Sequence, residues 1–307
     1  MTEAAFAVPG DLATPTGGYA YARRLMAEAA GAGLALTRVA LPAGFPSPSL
    51  AELAETGRRL HTLPAGDPIL IDGLALGVLP AELLRALPGP AVGLCHHPLA
   101  LETGVTAAQA GRLHASERAA LASCVRVIAS SETTARTLAG DFGVPAAKLS
   151  VAPPGTDAAP RARGSGGQKM ASGVALLAVG SLTPRKGHDV LIAALAGLMG
   201  LDWRLSIVGP ADRDAAHARA LAAQVEEAGL AGRVAFAGAL SPGAVARAYD
   251  RADLFVLASR HEGFGMAYTE AMARGLATVG CDAGAVREAT RGAARLVPPG
   301  DTVALGA

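Results

Sequence analysis

The chain has 307 residues, of which 51% are hydrophobic and 17% charged, enough apolar material to bury the cores of two ordinary domains. Lys and Arg number 27 against 26 Asp and Glu, so the net charge of +1 lacks the basic excess of a dedicated nucleic-acid binder, and 4% aromatics leave little to stack bases on. Cys95, Cys124 and Cys281 are far apart and odd in number, and supply neither a zinc motif nor a disulfide framework.

The opening MTEAAFAVPGDLATP has no basic stretch ahead of a long apolar one and does not read as a signal peptide. No apolar run reaches the length of about 18 residues that a membrane helix needs. The expected location is cytoplasmic, with peripheral contact at the inner membrane face left open.

The first predicted strand, 5–8, leads into PGDLATPTGGYAYARRL, where Gly17 and Gly18 open a helix over 18–30. A glycine pair at a helix start leaves backbone N–H groups open to a ligand, although alone it is merely permissive, and it is neither GxGxxG nor a Walker loop. Strand 34–41, helix 50–60, strand 68–71, helix 81–86 and strand 91–95 follow. The last strand runs into LCHHPLALETG, which sets His96 and His97 at a carboxyl end. Either could reach a reacting centre or be satisfied within the loop. A metal site from Cys95, His96 and His97 is a poor fit, because neighbours on extended chain point opposite ways. Helix 107–122, strand 125–129, helix 132–142 and strand 148–151 complete the first alternation. Its apolar strands suit a parallel sheet covered on both faces.

Pro153, Pro154, Pro160 and the GSGG of Gly164–Gly167 interrupt the pattern. The expected division is a first domain over 1–155, a linker over 156–172 and a second domain over 173–307. Strand 174–179 restarts the alternation and ends in VGSLTPRKGHDVLIAAL, which brings Arg185 and Lys186 to a strand's carboxyl end before helix 188–199. Cations are unfavourable at a helix start unless an anion such as phosphate justifies them. Strand 203–208, helix 213–228, strand 233–237, helix 242–249 and strand 254–257 come next. Then comes SRHEGFGMAYTEAMARG, with Glu262 in a loop and Glu270 in the helix over 266–274. Taken singly, these glutamates read as a solvated loop residue and a helix-terminus charge. With EGFG between strand and helix, two carboxylates beside free N–H donors suit a polyhydroxylated ligand. Strand 277–280, helix 285–290 and strand 295–297 end the series.

These motifs resemble the retaining glycosyltransferases of family 4. The similarity covers essentially the whole chain and is strongest in VGSLTPRKGHDVL, ADLFVLASRHEGFGMAYTEAMARG and LVPPGD. The resemblance implies the α/β GT-B fold, two Rossmann-like parallel-sheet domains facing across a cleft, an acceptor domain followed by a donor domain. It implies transfer of a hexosyl group from a nucleoside diphosphate sugar to an acceptor hydroxyl with retention of configuration. Glu262 would contact the donor sugar, helped by the backbone of Gly263, Phe264, Gly265 and Met266. Glu270 would bind the nucleotide ribose. Lys186, with Arg185 or another nearby cation, would hold the diphosphate, which Gly18 would approach from the first domain. His96 would lie near the anomeric carbon, with His97 as the fallback. Ser181 stands where many members have Arg. Members also continue for several helices beyond LVPPGDTVALGA, so the resemblance implies a shortened, incomplete donor domain. No cofactor and no metal are expected. The partners would be a nucleotide sugar and a glycan, lipid or small-molecule acceptor, and no nucleic acid. A nucleotide-sugar epimerase or phosphorylase of the same fold, and a donor-binding protein without turnover, remain as alternatives.

Overall fold

Alternate residues of the first strand, Thr2–Pro9 (β1), serve two different cores. Phe6 and Val8 pack with Ala22 of the helix Gly17–Ala29 (α1), whereas Ala5 and Ala7 join a second cluster on the other face of the sheet. This is the period-two alternation of a strand covered by helices on both sides. The computed structural model describes residues 2–167 and 173–307. They divide into two units, Met1–Pro154 and Gly155–Ala307. Residues 168–172 of the expected linker lie outside the described residues.

The first unit continues through β2 (Leu34–Leu41), α2 (Leu50–His61), β3 (Ile69–Asp72), α3 (Gly73–Leu76), α4 (Ala81–Arg85), β4 (Ala91–Cys95), α5 (Ala107–Ser123), β5 (Arg126–Ala129), α6 (Glu132–Gly140) and β6 (Leu149–Val151). The strands pair in parallel in the order β2-β1-β3-β4-β5-β6. Helix starts follow local chemistry: Thr16 caps α1, and Ser49 with Glu52 and Thr106 with Gln109 form capping boxes on α2 and α5.

The second unit holds β7 (Val174–Val179), α7 (His188–Ala196), β8 (Trp203–Val208), α8 (Ala215–Glu227), β9 (Val234–Gly238), α9 (Pro242–Asp250), β10 (Leu254–Leu257), α10 (Met266–Ala273), β11 (Ala277–Cys281), α11 (Val286–Thr290), β12 (Arg295–Val297) and α12 (Thr302–Gly306). Its parallel sheet has the order β12-β11-β10-β7-β8-β9. Leu177, Ile207, Phe255, Leu257 and Tyr268 fill its core. In each unit the strand order reverses direction beside the first strand, between β1 and β3 and between β7 and β10. Ligands of open parallel sheets bind at the carboxyl ends of strands at such a switch.

Three readings need correction. The helix expected over 188–199 ends at Ala196, where Gly197 turns the chain and Leu198 O accepts from the Trp203 indole at 2.9 Å. Strand β2 is a sheet edge with exposed positions, not a strand covered on both faces. Two short helices, α3 and α12, escaped the sequence reading: Asp72 and Asp301 cap them by accepting from Leu74 N and Ala304 N, each at 2.9 Å. Within the stretch read as linker, Ala162 N donates to Arg274 O at 2.8 Å, Gly164 N to Asp250 O at 2.9 Å and Ser165 N to Asp253 Oδ1 at 2.9 Å. Among the described residues no helix is long and apolar enough to cross a membrane.

Candidate functional site

At the switch of the second sheet, two loops are fastened backbone to backbone. The turn Pro184–Lys186 follows β7, and residues 258–262 follow β10. Arg260 N donates to Arg185 O at 2.8 Å, and Arg185 Nη1 donates to His261 O at 3.1 Å. Arg260 also donates to Pro184 O at 2.5 Å and forms a two-pronged pair with Asp189 of α7, at 2.9 and 2.6 Å. Gly187 has φ +63°, and a Cβ there would overlap the Ala258 carbonyl oxygen, so only glycine lets the loops meet this closely.

The contact buries Glu262, which is 6% exposed. Its Oε1 receives Lys186 Nζ and Ser259 Oγ, each at 2.6 Å, and Arg185 Nη1 lies 3.6 Å from its Oε2. Burial pushes the carboxyl upward. The charges of Lys186 and Arg185, with the hydrogen bonds from Lys186 and Ser259, outweigh that and hold it down at about 2. Lys186 and Arg185 set two cations beside this one carboxylate, so the cluster carries a net positive charge that suits an anion. Just beyond, the N–H groups of Phe264, Gly265 and Met266 have no acceptor among the described residues. They surround the start of α10, where Gly265 is the N-cap with φ +103°.

Glu270 lies one turn further along α10. Tyr249 Oη donates to its Oε2 at 2.9 Å. Burial raises the Glu270 carboxyl, opposed by the Tyr249 hydrogen bond and the Arg274 charge.

In the first unit, Gly18 and His96 are neighbours: a Cβ on Gly18 would lie 3.6 Å from His96 Cδ2. The His96 ring also meets Tyr21 edge-on, with centroids 4.9 Å apart. Its Nε2 is buried without a hydrogen-bond partner, and burial lowers its pKa to about 4, so the ring is neutral at pH 7. The contact with α1 therefore falls on His96.

Several contributors were missed by sequence reasoning. Ser259 and Arg260 sit inside the quoted motif, but only packing shows that they hold Glu262 and the basic turn. Glu117 of α5, 4% exposed, accepts Leu99 N at 2.6 Å and Ala100 N at 2.8 Å and so pins the segment after His96 and His97. Its partners are 17 and 18 residues away, a spacing with no sequence signature. The expectation that the sequence holds no Asp-x-Asp metal motif is wrong, because Asp212-Arg213-Asp214 is such a triplet. Asp214 caps α8 by accepting His217 N at 2.9 Å. Among the described residues no three His, Cys, Asp or Glu side chains are grouped to hold a metal.

Fold and site thus define a pair of Rossmann-like units in which the second gathers cations, a buried carboxylate and open N–H groups at its switch. Residues 18–159 match the family model Glycosyltransferase Family 4, and residues 173–307 match Glycosyl transferases group 1. The first part of the chain thus carries a Glycosyltransferase Family 4 domain and the second a Glycosyl transferases group 1 domain. It is 32% identical over 186 residues to D-inositol 3-phosphate glycosyltransferase of Nocardia farcinica, a match covering 57% of this chain and 41% of that protein. It is 34% identical over 170 residues to mannosylfructose-phosphate synthase of Agrobacterium fabrum, covering 51% and 37%. The match thus spans well under half the length of these curated relatives. Among solved structures, sucrose-phosphate synthase from Thermosynechococcus elongatus has a TM-score of 0.83 at 21% identity, covering 100% of this chain and 88% of that one. Anabaena HepE, solved with UDP and glucose, has a TM-score of 0.75 at 20% identity, with the same coverage. These two likenesses establish the GT-B fold.

Proposed function

We propose that the protein transfers a hexosyl group from a nucleoside diphosphate sugar to an acceptor hydroxyl, with retention of anomeric configuration. The observation that carries this reading is the Lys186–Glu262–Arg185 cluster at the β7–β10 switch, with open N–H groups beside it. Lys186 and Arg185 hold the donor diphosphate and stabilise the charge that develops as it leaves. Glu262 and the backbone of residues 263–266 hold the hydroxyls of the transferred sugar, and Glu270 accepts from the ribose. On the first unit, Gly18 keeps the start of α1 open to phosphate, and His96 beside it is the candidate for the sugar or the acceptor. The names of the curated relatives support glycosyl transfer, and the UDP and glucose held by the Anabaena protein support a nucleotide-sugar donor.

A thermal-shift screen against nucleotide sugars tests the donor, because a ligand bound only by the folded state stabilises by mass action. A labelled donor then tests the reaction. Label that moves only when an acceptor is present supports transfer, whereas conversion of the donor alone indicates an epimerase. Cations and N–H groups can neutralise a diphosphate without a metal. Donor binding and turnover are therefore expected to persist in excess EDTA; loss restored by Mg²⁺ or Mn²⁺ would refute this.

Gly18 gives a separate test. Its Cβ would make only ordinary contact with His96, and Ala is favoured over Gly in a helix by about 1 kcal/mol. Gly18→Ala should therefore melt no lower than the wild type while losing roughly tenfold or more in kcat/KM, as expected where a methyl blocks a phosphate's approach to the helix start. Unchanged turnover would remove Gly18 from the site.

A further inference from the structure

Tyr249, in the last turn of α9, has no exposed surface, yet it carries a hydroxyl into the core. That hydroxyl has two acceptors in reach, Glu270 Oε2 at 2.9 Å and Ala267 O at 3.2 Å. It has one hydrogen, and the nearer, charged acceptor takes it. Arg274 lies over the same ring, 4.7 Å from its centroid, and its Nη1 donates to Glu270 O at 2.8 Å. Glu270 is therefore held through one carboxylate oxygen and its own backbone. Oε1 receives no hydrogen bond from any described residue.

We propose that Tyr249 is a positioning residue for the nucleotide: by fixing Oε2 it turns Oε1 of Glu270 toward the ribose hydroxyls. This rests on the reading of Glu270 as the ribose acceptor. An unheld glutamate would have to lose its rotamer freedom when ligand binds, and the tyrosine removes that loss in advance. The same hydrogen bond favours the ionised carboxylate. Burial favours the neutral acid, and Tyr249 from α9 and Arg274 at the C-cap of α10 are the two groups that oppose it. A protonated Glu270 would have one fewer acceptor to offer a diol.

Tyr249→Phe keeps the ring and its contact with Arg274 and removes only the oxygen. Two readouts separate positioning from a general structural role. The first is the titration midpoint of the Glu270 carboxyl carbon, followed by NMR without ligand and assigned with Glu270→Gln. The second is the affinity for UDP-glucose and GDP-mannose by calorimetry at pH 7.5 and 5.5, since a diphosphate diester does not itself titrate there. The expected result is a raised midpoint and roughly five- to tenfold weaker binding of whichever nucleotide sugar binds, with the larger loss at pH 5.5. Glu270→Ala should lose tenfold or more at both pH values, on the scale of a charge-assisted hydrogen bond. If Glu270→Ala weakens binding while Tyr249→Phe changes neither midpoint nor affinity, the positioning role is overturned and the site reading stands. If Glu270→Ala leaves affinity intact, the site reading falls and takes the proposal with it. Should Tyr249→Phe fail to fold, the wild-type Tyr249 hydroxyl proton serves instead: its chemical shift must follow the Glu270 titration, and a shift that does not follow it overturns the proposal.

Discussion

Lys186→Met is expected to destabilise the second unit by roughly 3–5 kcal/mol, the usual cost of removing one partner of a buried ion pair. Glu262 would keep Ser259 at 2.6 Å but only Arg185, at 3.6 Å, as a cation. Its carboxyl should then climb from about 2 toward or above the ordinary range, because burial alone pushes it up. The readout is convenient: Trp203 is the chain's one tryptophan, it is 3% exposed, and it lies in the second unit. Its fluorescence in a denaturant series therefore follows that unit alone. Lys186→Met with Glu262→Gln should recover much of the loss, since no unpaired carboxylate stays buried, yet it should not recover donor binding. A Lys186→Met variant as stable as the wild type would show that the pair is not what holds the loops. A double variant that binds donor normally would remove the cluster from the site.

Much of this cluster was legible in the sequence, for a physical reason. Parallel strands advertise themselves as short apolar runs, and ligands collect at their carboxyl ends, so Arg185, Lys186, Glu262 and His96 could each be placed beside a strand end without coordinates. Contacts across the fold could not. Lys186 and Glu262 are 76 residues apart, and nothing in either motif says that the two charges meet. The sequence reading gave Lys186 to phosphate and Glu262 to sugar as separate tasks. Packing makes them one unit, in which Lys186 helps hold Glu262 ionised. Glu117, Arg260 and Tyr249 were illegible for the same reason, because each acts on a segment far along the chain. His96 and His97 are adjacent and chemically alike. Only the position of α1 against the β4 end distinguishes them.

Acidification should unfold the second unit before the first. His188 has no exposed surface, and burial holds its pKa down at about 4. A depressed pKa means a contribution that is complete above the ordinary value of about 6.5 and is lost as pH falls toward 4. By pH 4 that loss amounts to about 3 kcal/mol. Glu262, with its carboxyl at about 2, then adds a loss of the same sign between about 4.5 and 2. Glu270, raised by burial, opposes these two in the same unit. In the first unit the large shifts offset one another. His96, depressed to about 4, loses stability over the same range as His188. Asp72, 3% exposed and pushed by burial to about 6, does the reverse: its contribution is absent above pH 6 and is gained as pH falls through 6 toward the ordinary aspartate value. Glu117, raised by burial, acts in the same direction as Asp72. Trp203 fluorescence should therefore show the second unit weakening steadily from pH 7 to pH 4. Peptide-resolved hydrogen exchange, corrected for its intrinsic pH dependence, should find α1 and α5 still protected when α7 and α10 have opened. First-unit peptides opening before or together with those of the second would show that the buried His188 and Glu262 do not set the acid limit.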